Sequence, residues 1–320
     1  MNNKIILTVL LAAVLLFATG CGEEGITVPD SGYIGGTEGI VIEYGQDTPP
    51  AEVIDDGQEA FIVGLVIENV GEHYVAEGEV MTTLTGIDLD AYSIFEDTLV
   101  NLAPLEGIRR ASDGSVLEGG IASEMVYEAS YINDIPVDQT AMLVSNVCYK
   151  YQTKATTALC LRKEVTSRGE ETDPCVIGDA ITAGNSGGPI QVSSMTEGRG
   201  GKNSVTMSMT IENFGNGDVF LPEAINEAKC STHGTNLNDY KNKVQVTVDF
   251  PGKTVPISCG GLGGSNTGTV TMVAGSRAII TCKIDTSSMQ ETTFTMNPNV
   301  ELDYMYKEAV STDITILNIA

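Results

Sequence analysis

A strand-and-turn pattern that occurs twice constrains the fold of this chain more than any other feature. Residues 60–75 read AFIVGLVIENVGEHYV, and residues 204–219 read SVTMSMTIENFGNGDV. In each copy, alternating apolar and polar residues lead to Ile-Glu-Asn, a Gly follows two positions after the Asn, and a Val comes four positions later. Alternation with a period of two predicts a β-strand. The Asn and Gly predict a turn that uses left-handed backbone.

A second pattern also repeats. Residues 147–161 (VCYKYQTKATTALCL) match residues 302–316 (LDYMYKEAVSTDITI), so that Tyr149 and Tyr151 correspond to Tyr304 and Tyr306. The chain is therefore one unit written twice, and we place the two domains at residues 38–182 and 183–320. The four tyrosines either mark an exposed contact face or pack inside the fold. Their alternation along a strand in both units favours packing.

Short alternating segments separated by turn residues fill both units. Val, Ile, Thr and Tyr dominate the apolar set, and no stretch after residue 20 has the period of a long amphipathic helix. About seven short strands per unit, at regular spacing, are typical of a two-sheet sandwich. The sequence therefore predicts an all-β fold with two tandem antiparallel β-sandwich domains.

The charge of the chain limits its partners. The formal net charge is -26, with 17 Lys and Arg against 43 Asp and Glu. Nucleic acid and anionic membrane surfaces are poor partners, because both require clustered basic residues. Two acidic pairs, Asp88 with Asp90 and Glu96 with Asp97, are candidates for a divalent cation, but neither continues into the ligand spacing of a calcium loop. We therefore predict no metal site and no cofactor.

The N-terminal segment has the features of an export signal. In residues 1–20, Lys4 supplies a positive charge, an apolar run follows, and small residues precede Cys21. This resembles a lipoprotein signal peptide, in which the Cys carries lipid and becomes the new N-terminus. An ordinary signal without lipid is the alternative. Residues 21–37 are Gly-rich and lack periodicity, which indicates a flexible tether. We predict an extracytoplasmic protein held at the cell surface by lipid on Cys21.

Six further cysteines, three in each unit, indicate three disulfides in an exported chain. Fifteen pairings are possible, and the sequence does not choose among them. Two candidate bridges would each close a loop, Cys160 with Cys175 and Cys259 with Cys282. If both form, Cys148 and Cys230 remain, and their bridge would join the two units.

One motif resembles catalytic chemistry. Residues 184–189 (GNSGGP) reproduce the nucleophile motif of trypsin-like serine proteases, in which Ser186 would attack and His73 would act as the base. One of Asp88, Asp90, Asp97 and Asp113 would orient His73. Against this interpretation, His73 lies in the repeated turn, outside the small-residue context of that family. The motif also aligns with the start of the first unit, GGTEGIVIE, as a linker that leads into a strand.

Residues 38–320 resemble a known family. Two units with a strand ending in Ile-Glu-Asn-x-Gly-x-x-x-Val are similar to CARDB-type domains, which are Ig-like adhesion-related repeats of bacterial and archaeal surface proteins. The resemblance implies two tandem Ig-like sandwiches and no catalytic residues.

The resemblance also implies adhesion to a protein or glycan of the cell surface or envelope. Two alternatives remain. The first is a structural subunit of a cell-envelope assembly, and the second is a protease that uses Ser186.

Overall fold

The computed structural model describes residues 32–57, 59–117, 120, 123–166, 173–178, 180–228, 230, 237–290 and 292–319. The predicted signal peptide, Cys21 and most of the predicted tether lie outside these residues. Strands make up 51% of the structure, and the two helices are short. The prediction of an all-β fold is therefore confirmed.

The described residues of the first half form eleven strands. They are β1 (Ile40–Tyr44), β2 (Glu52–Ile54), β3 (Phe61–Asn69), β4 (Val80–Thr85), β5 (Thr98–Val100), β6 (Arg109–Arg110), β7 (Val116–Leu117), β8 (Ser123–Ala129), β9 (Gln139–Thr156), β10 (Leu159–Leu161) and β11 (Ala180–Ile181).

In the second half, the residues that the structure describes form ten strands and two helices. The strands are β12 (Gly184–Asn185), β13 (Ile190–Gly201), β14 (Ser204–Asn213), β15 (Asp218–Phe220), β16 (Lys243–Asp249), β17 (Ile257–Cys259), β18 (Thr267–Thr271), β19 (Arg277–Asp285), β20 (Phe294–Met296) and β21 (Asn299–Leu317). The helices are α1 (Ala224–Ala228) and α2 (Leu237–Tyr240), and residues 260–262 form a single 3₁₀ turn.

The sequence duplication is visible in the order of the strands. In the first half, a sheet ordered β1-β3-β8 packs on strands ordered β9-β4-β5. In the second half, β13-β14-β19 packs in the same way on β21-β16-β18. Strands β3 and β14 carry the two copies of the Ile-Glu-Asn pattern, and β9 and β21 carry the two tyrosine pairs.

The two halves are joined through equivalent strands. β9 and β21 pair antiparallel along nearly their full length, with Tyr149 opposite Tyr306 and Tyr151 opposite Tyr304. An approximate two-fold axis therefore passes beside Lys150, as in the self-complementary interface of a symmetric dimer. These strands have 18 and 19 residues, so the expectation of short strands throughout is wrong here. A free strand edge of this length would invite pairing with other chains. Pairing of β9 with β21 covers this edge in both halves.

Short strands strengthen this joint. β12 pairs with β9, β11 pairs with β13, and β2 pairs in parallel with β21. Each of these three pairs connects residues on opposite sides of the predicted boundary between residues 182 and 183. One hydrophobic cluster also includes core residues of both halves, such as Leu65 and Val147 from the first and Met207 and Leu302 from the second.

Three disulfides link the six cysteines: Cys160–Cys175, Cys259–Cys282 and Cys148–Cys230. The third connects residues 82 apart in sequence and joins β9 to the residues that follow α1. There, Phe220, Ile225 and Met305 form a separate small core with the two cysteines. Three disulfides indicate an oxidising, extracytoplasmic compartment. Within the described ranges, no helix is both long enough and apolar enough to cross a bilayer.

Candidate functional site

The repeated Asn organises a buried turn in the first half. Asn69 Nδ2 donates hydrogen bonds to the carbonyl oxygens of His73 (2.6 Å) and Leu105 (3.2 Å). Its Oδ1 accepts from the Gly71 amide (3.2 Å) and from the Tyr151 hydroxyl (3.0 Å). The two repeated sequence patterns therefore meet in space, and the tyrosine of the second pattern fixes the turn of the first.

The second half contains the same arrangement. Asn213 Oδ1 accepts from the Gly215 amide (3.1 Å) and the Tyr306 hydroxyl (2.8 Å), and its Nδ2 donates to the Gly217 carbonyl (3.0 Å). The expectation that the motif glycines use left-handed backbone is wrong, since neither Gly71 nor Gly215 has positive φ. A Cβ atom on either glycine would collide with the tyrosine hydroxyl. Glycine is needed for this close approach.

The four tyrosines form one buried cluster at the joint between the halves, which we call the tyrosine box. Tyr149, Tyr151, Tyr304 and Tyr306 are at most 2% exposed, and neighbouring ring centroids lie 5.8 to 6.2 Å apart. Burial raises the pKa of Tyr306 to about 12 and the pKa of Tyr149 and Tyr304 further above the usual value. The hydroxyls therefore stay neutral. The packing interpretation is confirmed, and these tyrosines are not a contact face.

The GNSGGP motif is built into the joint. Ser186 is 4% exposed, its amide donates to the Lys154 carbonyl (2.8 Å), and its Oγ accepts from the Lys154 amide (2.9 Å). Asn185 forms a reciprocal pair with Val192 through Nδ2 and Oδ1 (3.0 and 2.9 Å). The serine and the asparagine thus complete backbone hydrogen bonding beside β9 and at the start of β13.

Glu72 binds backbone amides beside the GNSGGP motif. Its Oε2 accepts from the Gly187 amide (2.8 Å) and the Gly35 amide (3.0 Å), and its Oε1 accepts from the Ile34 amide (3.0 Å). An oxyanion hole requires backbone N–H groups that point at an open substrate position. By the protease analogy the Ser186 amide would belong to this hole, but it donates to the Lys154 carbonyl. Glu72 instead links the Gly187 amide to the segment that precedes β1.

The other residues of the hypothetical triad make hydrogen bonds and ring contacts of their own. The His73 ring packs edge-on against Tyr151, with ring centroids 5.1 Å apart. Asp88 accepts from the Asp90 amide, Asp97 from the Thr98 hydroxyl, and Asp113 from Ser115. Among the described residues, no hydrogen bond joins Ser186 to His73 or His73 to these aspartates. The hydrogen bonds that a Ser-His-Asp triad requires are therefore not present among the described residues.

Replacing Ser186 separates the structural role from the catalytic one. We expect Ser186→Ala to lower the free energy of unfolding by about 1 to 2 kcal/mol, because the Lys154 amide loses its acceptor in a buried place. We also expect a serine-directed fluorophosphonate probe to leave the wild-type chain unlabelled. Denaturant titration and mass spectrometry measure the two effects. Stoichiometric labelling of Ser186 would contradict this interpretation.

His73 makes stability depend on pH. Burial lowers the pKa of His73 to about 4, from an ordinary value of 6.5. The folded state therefore favours the neutral ring. The neutral His73 ring makes its full contribution to the free energy of unfolding above about pH 6.5. This contribution, roughly 3 kcal/mol, is lost as the pH falls from about 6.5 to about 4.

We expect His73→Gln to remove this part of the pH dependence. Urea unfolding of the wild type and the variant at about pH 7 and about pH 4.5 isolates the histidine from the carboxylates, since both proteins share the carboxylates. Equal loss of stability in the two proteins on acidification would contradict the assignment.

The acidic pairs do not assemble into a cation site. Among the described residues, no group of three or more His, Cys, Asp or Glu side chains is placed to hold a metal ion. His233 lies outside the described residues.

A groove at the edge of the first half is the candidate binding site. It has a volume of about 530 Å³ and lies between the edge of β8 and the segment that leads into β5. We call it the edge groove; it is lined mainly by Phe95, Glu96, Leu99, Val126, Tyr127 and Glu128. Phe95 is 95% exposed and Val126 is 37% exposed. The groove therefore offers apolar surface at its mouth.

The floor of the edge groove is part of the packed core. Tyr127 is buried, and its hydroxyl shares a 2.7 Å hydrogen bond with Thr82 Oγ1. Burial raises the pKa of Tyr127 to about 12, so the hydroxyl stays neutral. Leu99 packs against both of the larger hydrophobic clusters. A packed floor with an apolar mouth is typical of a preformed binding site.

The outer edge of β8 has unpaired backbone. The Gly45 amide donates to the Gly64 carbonyl, so Gly64 directs its backbone toward β1. Since successive residues of a strand point in opposite directions, Val63 exchanges hydrogen bonds with Tyr127 of β8. Val126 and Glu128 then direct their N–H and C=O groups into the edge groove. Among the described residues, no backbone hydrogen bond reaches them there.

The chain matches no family model, and no curated protein is significantly similar to it in sequence.

The sequence interpretation did not find the edge groove or Glu72. One signal was present for the groove: the segment between β4 and β5 covers residues 86–97, whereas the equivalent segment between β16 and β18 covers residues 250–266. The first unit therefore lacks several residues at this position. Nothing in the sequence distinguishes Glu72 from other turn glutamates.

Proposed function

We propose that this chain is a non-catalytic cell-surface protein that binds an extracellular or envelope ligand through the edge groove. The observation that carries the proposal is the groove itself, where a fully exposed aromatic side chain, Phe95, lies beside unpaired strand backbone. Exposed aromatic residues are enriched in binding interfaces. The residues that resemble catalytic machinery are committed to hydrogen bonds within the fold.

Anchoring by lipid on Cys21 belongs to the same proposal. The three disulfides support an extracytoplasmic location. The segment before Cys21 has the composition of a lipoprotein signal peptide. A lipid anchor and a flexible tether would present the folded part at the cell surface.

The resemblance to CARDB-type repeats agrees with this function. Each half packs a sheet that carries the Ile-Glu-Asn strand against a second sheet, which supports an assignment to two Ig-like sandwiches. Adhesion is the role that this resemblance implies.

Binding to envelope fractions tests the proposal. We expect the full chain, purified in detergent under oxidising conditions, to bind envelope fractions of its own or neighbouring cells saturably. Phe95→Ser should weaken binding at least about tenfold, since burial of one aromatic side chain contributes about 1.5 to 3 kcal/mol. Phe214→Ser is the matched control, because Phe214 is 47% exposed and lies outside the groove.

Treatment of the envelope with protease or with periodate identifies the ligand as protein or glycan. Absence of saturable binding, or equal loss from both phenylalanine variants, would contradict binding through the edge groove. Self-association in place of ligand binding would favour the alternative of a structural subunit.

A further inference from the structure

The second half shows what covers the position of the edge groove. Strand β19 is equivalent to β8, because each pairs with the strand that carries the Ile-Glu-Asn pattern. Met207 faces Cys282 in the second half, and the corresponding Val63 faces Tyr127 in the first. Position 282 of β19 therefore corresponds to position 127 of β8.

In the second half, a further strand occupies the outer edge. β17 pairs antiparallel with β19 and places Cys259 opposite Cys282, where a disulfide joins the two strands. In the first half, the corresponding edge, at Tyr127 and Glu128, lines the groove. The edge groove thus lies where the second half has β17.

Both halves begin to cover this edge in the same way. The Asp285 amide donates to the Pro256 carbonyl (3.0 Å), and the equivalent Ser130 amide donates to the Tyr92 carbonyl (2.9 Å). After Pro256, the chain continues as β17. After Tyr92, the chain turns away, with Ser93 at a φ of 51°. Among the described residues of the first half, this strand position is therefore vacant.

We propose that an extended segment of a partner protein fills this vacant position by pairing antiparallel with β8. This inference rests on the proposed function and names the kind of ligand. Addition of a peptide strand to an exposed sheet edge is an established mode of recognition, in which backbone hydrogen bonds supply affinity and alternate side chains supply specificity. Val126 and Glu128 would provide the backbone donors and acceptors.

The charge of the site selects a basic segment. Among the described residues that line the groove, Glu96 and Glu128 are acidic and none is Lys or Arg. Asp97 lies next to Glu96 and is exposed. A second copy of the chain is a poor occupant, because each copy has a net charge of -26. The fitting partner therefore alternates apolar residues, which meet Phe95 and Val126, with Lys or Arg.

Synthetic peptides test the mode of binding. The probe is a fluorescent peptide of roughly ten residues that alternates Val and Lys, with the full chain in detergent as the receptor. We expect saturable binding at least about tenfold tighter than that of the Val-Glu peptide of equal length. The fully N-methylated Val-Lys peptide, which lacks amide donors, should also bind at least about tenfold more weakly.

Substitutions on the protein provide the second readout. Val126→Pro removes the backbone N–H that points into the groove and leaves the hydrogen bonds between β8 and β3 intact. The Val126→Pro variant should therefore bind the Val-Lys peptide at least about tenfold more weakly than the Val126→Thr variant, which keeps this N–H. Glu128→Lys should also weaken binding, whereas Asp249→Lys, an exposed charge reversal in the second half, should not. Thermal unfolding shows whether each variant is folded.

Equal affinity of the N-methylated and unmodified peptides would overturn strand addition, even if Val126→Pro fails to fold. If the Glu128→Lys and Asp249→Lys variants bind the Val-Lys peptide with equal affinity, the inference of a basic partner is overturned. Binding would then depend on the net charge of the chain and not on the charge of the groove. The envelope assay separates this inference from the proposed function. Saturable envelope binding that is unaffected by Val126→Pro and by competing Val-Lys peptide would overturn the inference and leave the proposed function intact.

Discussion

Tyr304→Ala should lower the free energy of unfolding by about 4 kcal/mol, because it removes a fully buried aromatic ring from the tyrosine box. Its ring lies 6.2 Å from those of Tyr151 and Tyr306, so the resulting cavity opens between the two halves. We expect one cooperative unfolding transition that shifts as a whole, since the halves share a sheet and a core. Denaturant titration followed by circular dichroism and tyrosine fluorescence measures both properties.

Two controls separate the ring from the hydroxyl and from the general effect of losing a tyrosine. Tyr304→Phe keeps the ring and loses the hydroxyl, with its 2.9 Å hydrogen bond to Thr153, so it should cost about 1 kcal/mol. Tyr74→Ala removes a tyrosine that is 48% exposed and should cost less than about 1 kcal/mol. If the protein unfolds in two separate transitions, and Tyr304→Ala shifts the denaturant midpoint of only one of them, then the halves fold independently.

Asn69→Ala should also be strongly destabilising, by about 4 kcal/mol. The substitution removes four hydrogen bonds of a fully buried side chain. The Leu105 carbonyl still accepts from the Val75 amide, whereas the His73 carbonyl, the Gly71 amide and the Tyr151 hydroxyl lose their bond to Asn69. An unpaired buried polar group costs more than the hydrogen bond contributes when it is formed. Equilibrium unfolding in urea gives the difference from wild type.

The second repeat provides the matched variant. Asn213→Ala removes an equivalent side chain that is only half-buried, and water can replace part of its three hydrogen bonds. We expect a cost of about 2 kcal/mol, roughly half that of Asn69→Ala. If Asn69→Ala costs no more than Asn213→Ala, then burial does not set the cost of breaking this turn.

The sequence predicted the individual strands well. The patterns at residues 60–75 and 204–219 predicted a strand that leads into a turn, and β3 (Phe61–Asn69) and β14 (Ser204–Asn213) lie within them. Alternation of apolar and polar residues is a local property that reports which face of a strand is buried. The interior position of the four tyrosines followed from the same reasoning.

The joint between the halves could not be predicted in this way. Alternation describes the two faces of a strand, whereas pairing of β9 with β21 depends on which edges remain free after each half has formed. The edge groove was missed for the same reason, because a vacant edge is visible only when β8 is compared with β19 and its partner β17. The GNSGGP motif was ambiguous in sequence because glycine, asparagine and serine also serve tight backbone approaches such as that of Gly187 to Glu72.

Amide hydrogen exchange tests most directly whether the first half binds its ligand along the open edge of β8. In the free protein, we expect the Val126 and Glu128 amides to exchange quickly and the Met125 and Tyr127 amides, which face β3, to exchange slowly. Saturation with the envelope ligand, or with the Val-Lys peptide, should slow exchange at Val126 and Glu128 at least about tenfold. Saturable binding that leaves these two amides unchanged and protects amides elsewhere would contradict binding at the edge groove.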